Sequence, residues 1–157
     1  MSQNAHFILL VSLLTTVFFS HSIYATSYVW ARDTHNYRVY MSVVPADIVQ
    51  NQPRLLDKDK RLHNVIPGSE EGISHVLVWV YKKVGNERLL DVTIIAEAGP
   101  VFGGKIVKPL EKMKLGTGVT YGNFFKLHQD SDHTIRLKIY QINSEGHEEV
   151  TFNHIGY

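Results

Sequence analysis

Apolar and polar residues alternate along much of this chain in short runs, and the runs are broken by Gly, Pro, Asn and Asp. A period of two predicts β-strands. The clearest run is His75-Val-Leu-Val-Trp-Val-Tyr81, with Val76, Val78 and Val80 on one face and His75, Leu77, Trp79 and Tyr81 on the other. Both faces carry large apolar groups, and β-branched valines favour the extended chain. The pattern predicts a central strand, covered on both sides or nearly so.

The other runs fall in around it. Thr26 to Asn36 reads as an N-terminal arm or short edge strand, and Tyr37 to Val44 as a half-buried strand ended by Pro45, which cannot donate to a ladder. Asp47 to Asn51 suggests one helical turn. Val84-Gly-Asn-Glu87 has the composition of a hairpin turn. Leu89 to Glu97 alternates with Leu90, Val92, Ile94 and Ala96 inward, and Lys105 to Leu110 reads as a short strand stopped by Pro109. Val119 to Leu127, His133 to Gln141 and Glu149 to Ile155 complete about seven strands, with no long helix among them. This spacing predicts an all-β, antiparallel, immunoglobulin-like β-sandwich, with a small β-barrel as the alternative.

Two stretches stand outside that pattern. Phe7 to Phe19 is an uncharged apolar run, too short to span a bilayer comfortably and followed by Ser-His-Ser-Ile-Tyr-Ala, with Ala25 as the expected last residue before cleavage. Residues 1–25 therefore read as a secretory signal peptide, which predicts a periplasmic or secreted protein with no stable membrane span once the leader is cut. An uncleaved N-terminal anchor is the alternative, because the leader has no Lys or Arg. Residues 26–157 then form a single domain, with a long aperiodic loop at 52–74 that contains Pro53, Pro67 and Gly68. A connection of that length in a compact domain is usually functional or disordered.

Charge and cysteine content narrow the chemistry. All 16 Lys and Arg and all 15 Asp and Glu follow residue 25, and the net charge of +1 is not the footprint of a nucleic-acid binder. The absence of cysteine removes thiolate catalysis and thiolate metal sites. There is no Gly-x-Ser-x-Gly elbow, phosphate-cradling glycine loop or His-Glu-x-x-His helix, so no enzyme activity is expected. Seven histidines follow residue 25: His35, His63, His75, His128, His133, His147 and His154. His75 and His154 share strand faces with bulky apolar residues, where an imidazole must hydrogen-bond or ligate a metal. Imidazoles with the thioethers of Met41 and Met113 would suit Cu(I), and with carboxylates iron or zinc. The candidate ligands are His75, Met113, His128, His133, His154 and Met41. None has a local ligand spacing, so tertiary contact would have to assemble the site. Gly122 in mid-strand suggests a bulge or a close backbone approach. Asn123, on a mostly apolar face, either ties a neighbouring segment or lines a polar pocket.

The Tyr37-Arg-Val-Tyr-Met41 strand, His75 opening the central run, Met113, and Tyr121-Gly-Asn123 followed by aromatics resemble the periplasmic iron/copper-binding proteins of the bacterial iron-transport type, over roughly residues 37–141. That resemblance implies an immunoglobulin-like sandwich, often dimeric, which binds its metal through methionine, histidine and acidic side chains, with His75 and Met113 as the positions carried over. This chain has Thr120 where the family has a histidine before the Tyr-Gly pair, and Leu77 where it has an acidic residue. The methionine-proline-methionine pattern is reduced here to Lys112-Met-Lys114.

These features together predict a non-catalytic periplasmic binding protein for copper or ferrous iron, in transport or homeostasis. Its partners would be an envelope or transporter protein, or a second copy in a homodimer. The alternative is a structural or adaptor module of the envelope that works by protein–protein contact. It predicts an exposed apolar patch and a 52–74 loop that orders on a partner.

Overall fold

The structure, a computed structural model, describes residues 29–50, 72–115, 118–128, 131–142 and 144–154, with the backbone alone for Gln50, Leu115 and His154. The expected leader and nearly all of the 52–74 connection lie outside the described residues. In chain order the elements are β1 (Val29–Asp33), β2 (Tyr37–Pro45), α1 (Ala46–Gln50), β3 (Ile73–Lys82), β4 (Val92–Pro100), β5 (Ile106–Leu115), β6 (Gly118–Lys126), β7 (His133–Gln141) and β8 (Glu148–His154). Every strand pairing is antiparallel, in the spatial order β1-β2-β3-β6-β5-β4-β7-β8. β1 and β8, the two ends of that order, approach each other without forming a ladder. The result is an eight-stranded sheet that is nearly a closed barrel with one unsealed seam.

This corrects the expected open immunoglobulin-like sandwich of about seven strands, and the difference lies in β5. Residues Ile106–Leu110 pair with β4, whereas Glu111–Leu115 pair with β6, so one continuous strand carries the hydrogen bonding around the corner. Pro109 does not stop the strand as its ring chemistry suggested. It sits opposite Ile95, before the β6 ladder has begun, where a residue without an N–H is tolerated. Side chains bridge the gap that remains on the β6 side. Lys108 Nζ donates to the Phe124 carbonyl (2.9 Å), and Asn123 Nδ2 donates to the Pro109 carbonyl (2.9 Å). Asn123 is therefore the structural tie of the two expected roles.

Alternation fills the barrel. Val39, Met41 and Val43 of β2, Val76, Val78 and Val80 of β3, and Ile135, Leu137 and Ile139 of β7 all point inward and are at most 2% exposed. β4 begins two residues later than its alternation suggested. Residues 82–89 still hug β3 through Lys82 N–H to Glu87 O and Leu89 N–H to Val80 O (both 2.8 Å), so Leu89 enters the core and Leu90 stays out. Tyr121 locks this crossover from inside: its hydroxyl donates to Leu90 O (2.7 Å) and accepts the Val92 N–H (3.2 Å). Burial pushes the Tyr121 phenol above its ordinary pKa. At the seam the closure is made by side chains instead. Glu148 accepts from the Asn36 backbone N–H (3.0 Å) and from its side-chain amide (2.6 Å), and the Tyr37 hydroxyl donates to Gln141 (2.8 Å).

Candidate functional site

Because all neighbours are antiparallel, the start of β3, the end of β6, the start of β7 and the end of β8 meet at one end of the barrel. His75, His128, His133 and His154 all sit at that end. They do not share a face. Val76 and Val78 point inward, so His75 points outward from the barrel, yet it is only 6% exposed. Its ring stacks on Phe124, the residue opposite it on β6, with centroids 4.6 Å apart and planes inclined by 23°. His133 points into the barrel, fully buried, with Nδ1 2.7 Å from Ser131 O. His154 is its register partner across the β7–β8 ladder. His128 lies just beyond β6, against Gly72 at the entry to β3. Met41 is fully buried in the core, on the opposite face of the sheet from His75.

One predicted pair does converge. Gly122 faces outward on β6, between Leu77 of β3 and Glu111 of β5 in register. Diagonal neighbours across a sheet lie within reach of aromatic and long side chains. Gly122 has no side chain, and His75 from β3 and Met113 from β5 lean over it from either side. A Cβ at this position would lie 2.8 Å from His75 Nε2, 2.9 Å from the Met113 methyl carbon and 2.9 Å from the Val76 carbonyl oxygen. The mid-strand glycine noted in the sequence is thus a close-approach position, and it brings the His75 imidazole nitrogen and the end of the Met113 side chain to one point on the outer face. Thr120, where the resemblance called for histidine, is fully buried and donates its hydroxyl to Val78 O (3.0 Å).

Sequence reasoning missed Glu111, which stands on the same outer face as Met113, two residues before it and opposite Gly122. Strand parity could have found it once Pro109 was allowed inside a single strand. Among the described residues, no three His, Asp or Glu side chains are grouped closely enough to hold a metal ion.

A second feature stands at the same end. The β4–β5 hairpin carries Val101, Phe102, Ile106 and Val107, four exposed apolar residues, with Phe102 93% exposed. The hairpin base is fixed: Val101 N–H donates to Asp132 O (3.0 Å), and Glu97 lies between Lys105 (3.8 Å) and Arg136 (3.7 Å).

No family model matches the sequence, and no curated protein does either. Solved structures match the fold. A DUF4426 family protein from Pseudomonas aeruginosa PAO1 is 15% identical with a TM-score of 0.57, over 80% of this chain and 92% of that one. A copper-bound variant of FetP from uropathogenic Escherichia coli strain F11 is 12% identical with a TM-score of 0.59, over 84% and 99%. FetP from the same strain, expressed in the E. coli periplasm and studied as isolated, is 14% identical with a TM-score of 0.60, over 85% and 99%. At these identities the likeness is one of fold: the chain shares its architecture with a DUF4426 protein and with a periplasmically expressed protein that has been seen with copper.

Proposed function

We propose that this chain is a non-catalytic binding domain of the bacterial envelope that acts by contact with another protein. The observation that carries the reading is the apolar tip of the β4–β5 hairpin. Single exposed apolar residues are ordinary, but four exposed apolar residues on one hairpin, led by a nearly fully exposed phenylalanine, favour a contact surface. The tip stands on a base held by backbone and ionic contacts, so docking would cost little ordering entropy. The expected leader and the periplasmic expression of one structural relative support an envelope setting, where the partner would be an envelope or transporter protein. A photo-crosslinking phenylalanine analogue at position 102 of the secreted protein should give a discrete adduct that Val107→Asp abolishes. The same analogue at position 145, at the other end of the barrel, is the control. No adduct at 102, or the same adducts from both positions, would overturn the reading.

The meeting of His75 and Met113 favours a second reading, a copper or ferrous-iron site. Imidazole and thioether together suit Cu(I), and Glu111 adds a carboxylate on the same face for a harder ion. Met41 and His133 face the barrel interior, on the other side of the sheet from this pair. Copper on a structural relative of the same fold supports this reading too. Titration with Cu(I), Fe(II) and Zn(II), following melting temperature and tryptophan emission, should show one saturable site that Met113→Leu weakens and His75→Ala abolishes. No saturable response to any of the three ions would end it.

A further inference from the structure

The outer face of β3 has a second constellation at its other end, apart from both the hairpin tip and Gly122. Tyr40 of β2 pairs directly with Trp79 of β3, and Arg38 with Tyr81. Tyr40 and Tyr81 meet edge to face, with centroids 5.7 Å apart. With Val29, Asn86 and Arg88 these rings line an open groove of about 440 Å³, within the size range of small-ligand sites. Core packing does not require three aromatic rings here, because the barrel is filled from the opposite face of the same strands.

Arg88 gives the groove its charge. Its backbone bridges to Tyr81 as the chain leaves β3, and its guanidinium carbon lies 5.8 Å from the Tyr81 ring centroid. The guanidinium reaches the start of β6. A Cβ at Gly118 would come within 2.5 Å of Nη1, so a larger residue there would push the guanidinium aside. Arg88 Nε is buried with no hydrogen-bond partner, and no ion pair among the described residues engages the side chain. The nearby carboxylates are committed elsewhere, Glu87 to Lys82 (2.7 Å) and Asp91 to Lys112 (2.5 Å). A cation held by packing, beside half-exposed aromatic plates and with no counter-ion among the described residues, is complementary to an anion attached to a flat ring.

We propose that this groove binds a saccharide that carries a carboxylate, its ring lying on Trp79 and the tyrosines and its carboxylate on the Arg88 guanidinium. A pyranose presents an apolar C–H face to an aromatic plate while its hydroxyls stay in water, which suits a groove this open. The planar guanidinium is matched to a carboxylate, which can take two of its N–H donors. The purified protein would be titrated with N-acetylmuramic acid and with N-acetylglucosamine, which has the same ring without the carboxylate-bearing lactyl group. Tryptophan emission and amide chemical shifts report binding. Saturable binding of the acid, at least about tenfold tighter than the neutral sugar, is expected, and tenfold corresponds to about 1.4 kcal/mol. Arg88→Gln should erase that preference, and Trp79→Ala should abolish binding of both sugars. Because Arg88 is partly buried, Tyr40→Ala serves as a second variant that leaves Arg88 in place; it should weaken both sugars alike. No saturable response to the acid, equal affinity for the two sugars, or an unchanged preference in a folded Arg88→Gln protein would each overturn the proposal.

Discussion

Around β3 the barrel is closed by backbone; between β1 and β8 it is closed by side chains. β3 has a ladder on both edges, with β2 over nine residue pairs and with β6 over six, and its inward valines are at most 1% exposed. The seam has no ladder and relies on the Asn36–Glu148 clasp and the Tyr37–Gln141 hydrogen bond. Peptide ladders contain no titrating group, whereas a carboxylate clasp does. The ladders around β3 should therefore answer to packing changes and persist in acid, while the seam should do the reverse. The difference also explains where the candidate sites lie. The doubly laddered β3 carries His75 beside Gly122 at one end and Trp79 and Tyr81 at the other.

The largest effect should come from Val78→Asp. Val78 is fully buried at the centre of the closed side, and an aspartate there would place a carboxylate in the barrel interior beside apolar neighbours. The cost should exceed about 4 kcal/mol, enough to remove the cooperative melting transition. Trp79→Asp, one residue along on the outer face, should shift stability by about 1 kcal/mol or less. Similar melting curves for the two variants would show that the faces of β3 do not differ as described.

Gly122→Ala comes next. Two of the atoms its methyl would meet are side-chain ends that can move, but the Val76 carbonyl is backbone. Forcing that ladder apart should cost about 1–3 kcal/mol, read from denaturant unfolding. The same variant should separate His75 from Met113. A stability loss with metal response intact would detach the second functional reading from this geometry.

Much of this contrast was legible in the chain. The alternation of residues 75–81 placed Val76, Val78 and Val80 on one face directly, because strand parity needs no tertiary information, but it did not tell which face fills the barrel. Gly122 stood out because a mid-strand glycine is costly unless something approaches closely. Barrel closure was not legible, since it turns on β5 changing partners between Leu110 and Glu111, and Pro109 made that strand look like two fragments. Placing the histidines in space likewise needs more than alternation. Four of them do collect at one end of the molecule, but parity sends His75 outward and His133 inward, and only the strand order reveals how many strands separate them. The seam left no signal at all, because Asn36 and Glu148 are 112 residues apart and each has the composition of an ordinary turn.

Tyr121→Phe tests the border of the closed side. Its hydroxyl holds the crossover at Leu90 and Val92, and removing it leaves that carbonyl and amide to find other partners. A loss of about 1–2 kcal/mol is expected. The buried phenol has its pKa raised above the ordinary 10.0. A group of this kind contributes stability that is complete below the unfolded pKa and disappears as pH rises through the folded one. Wild-type stability should thus decline above pH 10 more steeply than that of Tyr121→Phe, as measured by urea midpoints. Parallel curves would mean that the phenol is not held as the structure shows.

The smallest effect belongs to the seam, and pH is the way to see it. Burial works to raise the Glu148 pKa, but hydrogen bonds from Asn36 and Thr34, with the charge of His35, together hold the carboxyl below its ordinary 4.5. A depressed carboxylate contributes stability that is fully present above the unfolded value and is lost as pH falls through the folded one. The clasp should therefore be intact at pH 6 and release below about pH 4.5, while the ladders around β3 persist. Because the site is partly solvated, its contribution should stay under about 1 kcal/mol. Glu148→Gln removes the titrating group but keeps an amide oxygen near Asn36, so its stability should fall less than wild type between pH 6 and pH 3. The other carboxylates, among them Asp33 and Glu149, titrate in both proteins and cancel in the difference. Amide exchange sharpens the comparison further. After correction for intrinsic rates, Asn36 N–H should lose protection in acid while Val78 N–H keeps its own. Loss at both positions together would mean that the seam and the closed side open as one unit, and that closure by side chains is as cooperative here as closure by backbone.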